Sequence, residues 1–148
     1  MAEVAPFRGL RYDPEREPDL ARVFTPPYDV ISPEDQELYH GLSSFNMVRL
    51  ELGKPRPEDD DRNNWCTRAG SYLVEWQEKG ELIREENPAI YYYEHDYSLP
   101  SQEKQTRYGF ICALRLEDFS TWIVRPHEKT FPKVKKTREL FGARLKSR

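Results

Sequence analysis

The most regular hydrophobic pattern of the chain lies between residues 60 and 79. Its apolar positions are Trp65, Ala69, Tyr72, Leu73 and Trp76. Side chains spaced at i, i+4, i+7, i+8 and i+11 share one face of an α-helix. The glycine at position 80 suits the left-handed residue that follows a helix. The pattern therefore predicts a long amphipathic helix over about 60–79.

A second, shorter helix is predicted over about 33–40. Ser32 can cap its first turn, Pro33 fits the first helical position, and the acids that follow favour the positive end of the helix dipole. Gly41 is expected to end this helix.

Other apolar runs predict strands. The two strongest extend from Ala89 towards Tyr97 and from Arg107 to Leu116, and the polar loop between them predicts a hairpin. Shorter strands are predicted at Phe7–Tyr12, Met47–Leu52, Leu82–Arg84 and Trp122–Val124, and a proline-stiffened extended segment at Thr25–Ile31. The sequence thus predicts an α+β fold with a mainly antiparallel sheet.

Composition changes this picture in two respects. The length of 148 residues suits one domain, and aromatic residues make up 13% of the chain, so we expect a thin, ring-rich core. The two cysteines, Cys66 and Cys112, form no metal-binding motif, and no apolar run approaches the ~18 residues of a membrane span. We therefore expect a cytoplasmic protein with reduced thiols and no metal site.

Charge is divided unevenly along the chain. The net charge is −3, but residues 131–148 contain seven basic residues and one acid, so the preceding residues are strongly acidic. A basic tail on an acidic body can contact nucleic acid, can be a solvated end, or can be foreign to the original fold. The sequence leaves these three interpretations open.

The densest group of chemically versatile side chains follows the last predicted strand. His127 and Glu128 can act as general acid or base, and Lys129 and Thr130 can contact phosphate. The alternative is a polar turn in which these side chains cap neighbouring backbone groups.

Four other residues, in three segments, have side chains that can serve a function. Tyr28 and Asp29 follow two prolines that fix their directions, so the acid can orient a substrate hydroxyl, or both can belong to a packed extended segment. His40 lies at a predicted helix end, where the dipole alone favours a cation. His95 alternates with two acids on a strand and therefore faces away from them, which argues against a metal site.

The chain resembles the domain of unknown function family 1015. The matching segments run in family order from about residue 5 to about residue 135: Pro6–Tyr12, Thr25–Ser32, Asn46–Gly53, Arg68–Trp76, Gly80, Pro88–Tyr91, Arg107–Ile111 and Pro126–Thr130. The family is distantly similar to the ParB/sulfiredoxin-like fold, which includes free-serine kinases. The resemblance implies phosphoryl transfer from a nucleotide to a small hydroxylated metabolite such as serine, with ATP or ADP and Mg as cofactors.

Roles within that implied reaction follow from side-chain chemistry. Glu128 is the candidate base, with His127 and Asp29 in supporting catalytic roles. The candidate phosphate and substrate contacts are Arg8, Tyr28, Lys129 and Thr130. Glu128 is alternatively a candidate metal ligand, although no dedicated metal site is assigned.

The chain departs from the family in one motif. Members carry an Asp-Gly-His-His-Arg motif, which this sequence lacks. We therefore expect residues 1–135 to be the N-terminal portion of the family domain, inactive alone, and residues 136–148 to be a basic tail that a frameshift can explain. The expected partners are a nucleotide, a small-molecule substrate and the missing portion as a separate chain, but neither membrane nor nucleic acid. The alternative function is a non-catalytic module that contacts protein or nucleic acid through the basic tail.

Overall fold

The computed structural model of the protein describes residues 1–125, and these form two compact units. One unit comprises Met1–Leu10 together with the described residues from Arg84 onward, and the other comprises Arg11–Ile83. The described residues contain helices and short sheets, which confirms the predicted α+β class.

Helix α1 spans Pro33–Leu42 in the unit of residues 11–83. It begins as predicted, because the Ser32 hydroxyl accepts from the amide of Asp35 while the Asp35 carboxylate accepts from the amide of Ser32. The predicted end at Gly41 is wrong. The backbone becomes extended only at Ser43, and Gly41 is therefore accommodated in the last helical turn.

Helix α2 spans Val48–Glu51 and replaces the strand that alternation predicted over Met47–Leu52. The cause is the buried Asn46, whose side chain donates to the carbonyl of Arg22 (2.7 Å) and accepts from the amide of Val48 (3.0 Å). That second bond starts a helical turn. Six residues of alternating polarity are too few to separate the two periodicities.

Helix α3 spans Trp65–Glu78 and confirms the long amphipathic helix, although it begins later than residue 60. Asp60 ties the preceding residues into a turn by accepting from the amides of Arg62 and Asn63, both at 2.7 Å. Asn64 then caps the helix, accepting from two amides of its first turn. Gly80 follows the helix with a φ of 75°, the left-handed conformation that its position predicted.

The core of this unit is built from rings, as expected. Trp76 is 1% exposed and packs with Tyr12, Phe45 and Tyr72 at ring-centroid distances of 6.4, 5.9 and 6.3 Å. The Tyr12 hydroxyl donates to the carbonyl of Phe45 at 2.7 Å. Trp76 therefore anchors α3 to two segments that precede it in the chain.

Three two-stranded sheets complete the described fold. β1 (Val4–Ala5) pairs antiparallel with β6 (Ala113–Leu114), and β2 (Leu10–Tyr12) pairs with β3 (Leu82–Arg84). The predicted hairpin is confirmed: β4 (Tyr91–Ser98) pairs antiparallel with β5 (Lys104–Ile111), with Tyr91 opposite Ile111. The strand predicted from Phe7 begins only at Leu10, and Phe7 itself makes an isolated bridge with Ala89.

One predicted extended segment is interrupted and another is wrong. Within Thr25–Ile31, Pro27 and Ile31 are extended as predicted, but Tyr28–Val30 between them forms a turn of 3-10 helix. Trp122–Val124 forms no strand, because Asp118 caps a 3-10 turn at Phe119–Thr121 and Trp122 then adopts a φ of 57°. A left-handed residue interrupts extended backbone.

Candidate functional site

The unit of residues 11–83 contains a cationic pocket with a volume of about 410 Å³. It is lined by His40, Arg49, Gly53, Lys54, Pro55, Arg56, Trp65, Arg68 and Tyr72. Four of these side chains carry a positive charge and none carries a carboxylate. The volume lies within the ordinary range for small-molecule sites, about 300–1,000 Å³.

Helices α1 and α2 place one wall of the cationic pocket. Arg49 on α2 donates from Nη2 to the carbonyl of His40 in the last turn of α1, at 2.8 Å. Gln36 on α1 donates to the carbonyl of Leu52 just beyond α2, at 2.7 Å. These two bonds fix His40 and Arg49 beside each other.

The opposite wall is a loop held against α3 by one ion pair. Arg68 contacts Asp59 through two parallel hydrogen bonds, Nη1–Oδ1 at 2.5 Å and Nη2–Oδ2 at 3.0 Å. Its Nη2 also donates to the carbonyl of Lys54 at 2.8 Å, while Asp59 accepts from the amide of Arg56 at 3.1 Å. Hydrogen bonding to Arg68 lowers the pKa of Asp59 to about 2. The carboxylate is therefore ionised throughout the neutral range.

The charges around the pocket do not balance. Lys54 is paired with Glu37 at 2.5 Å and Arg68 with Asp59, and both acids lie outside the lining. Among residues 1–125, Arg49 and Arg56 have no carboxylate partner. Within the part of the chain that the structure describes, the pocket therefore has two cations without a carboxylate partner, which favours an anionic ligand.

Two nitrogen atoms in the wall are buried without hydrogen-bond partners among the described residues. They are Nε2 of His40 and Nε of Arg49. Burial, together with the charges of Arg49 and Lys54, lowers the pKa of His40. The neutral form of the imidazole is therefore favoured at neutral pH.

The predicted site residues that lie within residues 1–125 do not line this pocket. Tyr28 and Asp29 lie on the exposed 3-10 turn of the same unit. Arg8 belongs to the other unit, where its exposed side chain donates from Nε to the carbonyl of Glu85 at 2.6 Å. The predictions for His127, Glu128, Lys129 and Thr130 lie outside the described residues.

The sequence does not predict the pocket, because the patterns around its residues are explained by secondary structure alone. The alternating pattern of Met47–Leu52 predicts a strand that contains Arg49, and the helical pattern places Trp65 and Tyr72 on a buried helix face. The signal that was available is local charge. Three cations fall within positions 49–56, against a single acid, in an otherwise acidic body.

Residues 1–125 contain neither a metal-binding cluster nor a helix that could cross a membrane. No group of three or more His, Cys, Asp or Glu side chains there is arranged to hold a metal ion. No helix in that range is long and apolar enough to cross a membrane.

The fold and the pocket together define an α+β protein with a cationic cavity of small-molecule size. The chain belongs to the family described as Protein of unknown function (DUF1015), whose sequence model matches residues 4–141, and this confirms the resemblance. The match continues beyond residue 135, and the division of the chain at that residue stays a prediction. Searches of curated proteins and of solved structures found no match.

Proposed function

We propose that this protein binds a phosphorylated small molecule in the cationic pocket. The observation that carries the proposal is the lining formed by residues 1–125, which has four cationic side chains and no carboxylate, and in which two of the cations have no carboxylate partner. A phosphate ester carries up to two negative charges and accepts charge-assisted hydrogen bonds from guanidinium and ammonium groups. Ligand and lining are therefore complementary in charge and in hydrogen bonding.

The concave shape of the pocket favours a small ligand over a nucleic acid. Nucleic-acid binding uses basic residues spread along a groove or an exposed face. Here the cations converge on one cavity of about 410 Å³, while the chain as a whole is acidic. A positive cavity attracts small anions, while the acidic body around it repels a long polyanion.

A narrower form of the proposal is phosphoryl transfer from ATP or ADP to a small hydroxylated metabolite such as serine. It is supported by the resemblance to free-serine kinases and by the phosphate-binding chemistry of Arg49 and Lys54. The carboxylates beside the pocket, Glu37 and Asp59, are ion-paired, so the described residues fit phosphates better than Mg. Glu128 remains the proposed base of this reaction, and positioning the phosphate would supply most of the catalysis.

Calorimetric titration with ADP tests the proposal, using Lys54→Met as the pocket variant and Lys104→Met as the matched control. Lys104 is exposed on β5, in the other unit. We expect K54M to weaken ADP binding about tenfold, because a hydrogen bond to a charged group is lost. K104M should bind as the wild type does.

Equal affinities of K54M and K104M would contradict this site. The narrower proposal is tested by adding serine together with ADP or ATP and measuring turnover. We expect no turnover by this chain alone. Binding of nucleic acid with a steep salt dependence would instead favour the alternative interaction module.

A further inference from the structure

The cations that residues 1–125 contribute to the pocket differ in how far their charged groups are already engaged. Arg68 uses both terminal nitrogens, on Asp59 and on the carbonyl of Lys54, and its side chain is only 15% exposed. Arg49 is half-buried and donates from Nη2 to the carbonyl of His40. These two guanidinium groups therefore hold the walls of the pocket together.

Arg56 differs from the other lining cations, because no described group engages its side chain. Among residues 1–125 its guanidinium makes neither a hydrogen bond nor an ion pair, and the residue is exposed. Its backbone is fixed, since its amide donates to the Asp59 carboxylate at 3.1 Å and its carbonyl accepts from the Asp59 amide at 3.0 Å. Arg56 therefore offers its side-chain donors from an anchored position.

The local sequence also restricts the placement of this cation. Lys54 and Arg56 each precede a proline, in the segment Lys54-Pro55-Arg56-Pro57. A residue before proline is biased towards extended backbone, and the φ of each proline is fixed. The segment therefore has little backbone freedom to lose when its two cations bind a ligand.

The ion pair of Lys54 does not withdraw it from a ligand. The side chain of its partner Glu37 is 72% exposed, and that of Lys54 is 36% exposed. Ion pairs of this exposure contribute little stability, because water and salt compete with them. A phosphoryl group can therefore replace Glu37 as the partner of Lys54. Lys54 and Arg56 then offer two cations, two positions apart, to one ligand.

We propose that Arg56 is a specificity-determining residue that contacts the outer phosphoryl group of a diphosphate. Lys54 is the less exposed of the two cations and contacts the inner phosphoryl group, while Arg56 contacts the outer one at the solvent side of the pocket. The planar guanidinium can donate two parallel hydrogen bonds to that terminal group. The inference rests on the proposed function and names the ligand class, which is diphosphates in preference to monophosphates.

ADP and AMP test this inference, because they differ by a single phosphoryl group. Calorimetric titration gives the affinity of each nucleotide for the wild type and for Arg56→Gln. We expect the wild type to prefer ADP, and R56Q to bind ADP about tenfold more weakly, because a hydrogen bond to a charged group is lost. AMP binding should be unchanged. A general structural effect of the substitution would weaken both nucleotides alike, so the ratio of the two affinities isolates the contact.

The matched control is Arg62→Gln, at an exposed arginine of the same loop that does not line the pocket. It removes the same charge and should keep the wild-type preference for ADP. The inference would be overturned by equal affinities of the wild type for ADP and AMP, by equal effects of R56Q on both, or by the same loss of preference in R62Q. The proposed function would stand in each case if K54M still weakens ADP binding. Absence of binding of either nucleotide to the wild type would overturn both.

Discussion

Asp59 is the single residue on which the loop wall of the pocket depends most. Its carboxylate holds Arg68 and the amide of Arg56, and Arg68 in turn holds the carbonyl of Lys54. The side chains of Asp59 and Arg68 are only 14% and 15% exposed, so solvent does not replace these bonds readily. The loop that carries two lining cations is therefore fixed by one acid.

We expect Asp59→Asn to lower the melting temperature at neutral pH and to weaken ADP binding, because the loop loses its anchor. The pKa of Asp59 is about 2 in the folded protein, below its ordinary value, so the carboxylate stabilises the fold above the ordinary pKa. That stabilisation is lost as pH falls through about 2. Thermal unfolding of D59N and wild type should therefore converge on acidification.

The matched control is Asp61→Asn, at an exposed acid two positions further along. It should leave the melting temperature unchanged at each pH. If D59N and the wild type have the same melting temperature at neutral pH, the ion pair of Asp59 does not stabilise the loop.

At the scale of elements, the sequence predicts what local chemistry determines. The start of α1 and the end of α3 follow from a capping serine and a left-handed glycine, and both are found. The short helix α2 depends on Asn46 reaching Arg22, a contact 24 residues away that no local pattern contains. Arg49 of the pocket lies on α2. Because the helix depends on this tertiary contact, neither α2 nor the position of Arg49 could be predicted from local sequence.

Trp76 tests how far α3 depends on its buried face. Trp76→Ala should lower the free energy of unfolding by about 3–5 kcal/mol, because it leaves a cavity among the rings of Tyr12, Phe45 and Tyr72. Urea denaturation measures this loss. The same substitution at Trp122, which is 69% exposed, should change the free energy of unfolding by only about 0.5 kcal/mol or less.

A loss at Trp76 no larger than that at Trp122 would contradict the packing described for α3. It would also remove the packing that holds α3 in place, and with it the support for the lining residues Trp65, Arg68 and Tyr72, which all lie on this helix.

At the scale of the whole molecule, the buried core and the cationic pocket of the described residues both lie in one unit. Every buried apolar residue among the described ones lies within residues 11–83, and so does the cationic pocket. In the other unit, Tyr92, Tyr108 and Phe110 are 66%, 61% and 66% exposed. Family membership could be predicted from motifs in order along the chain, but a site formed by side chains from four segments could not.

The central claim is that a phosphorylated small molecule binds in the cationic pocket, and its location can be measured directly. Backbone amide NMR spectra recorded while ADP is added report which residues the ligand approaches. We predict saturable shifts at the amides of Arg49, Lys54, Arg56 and Arg68, with the β4–β5 hairpin unaffected. Shifts confined to the hairpin, or no shifts at any residue, would contradict the account.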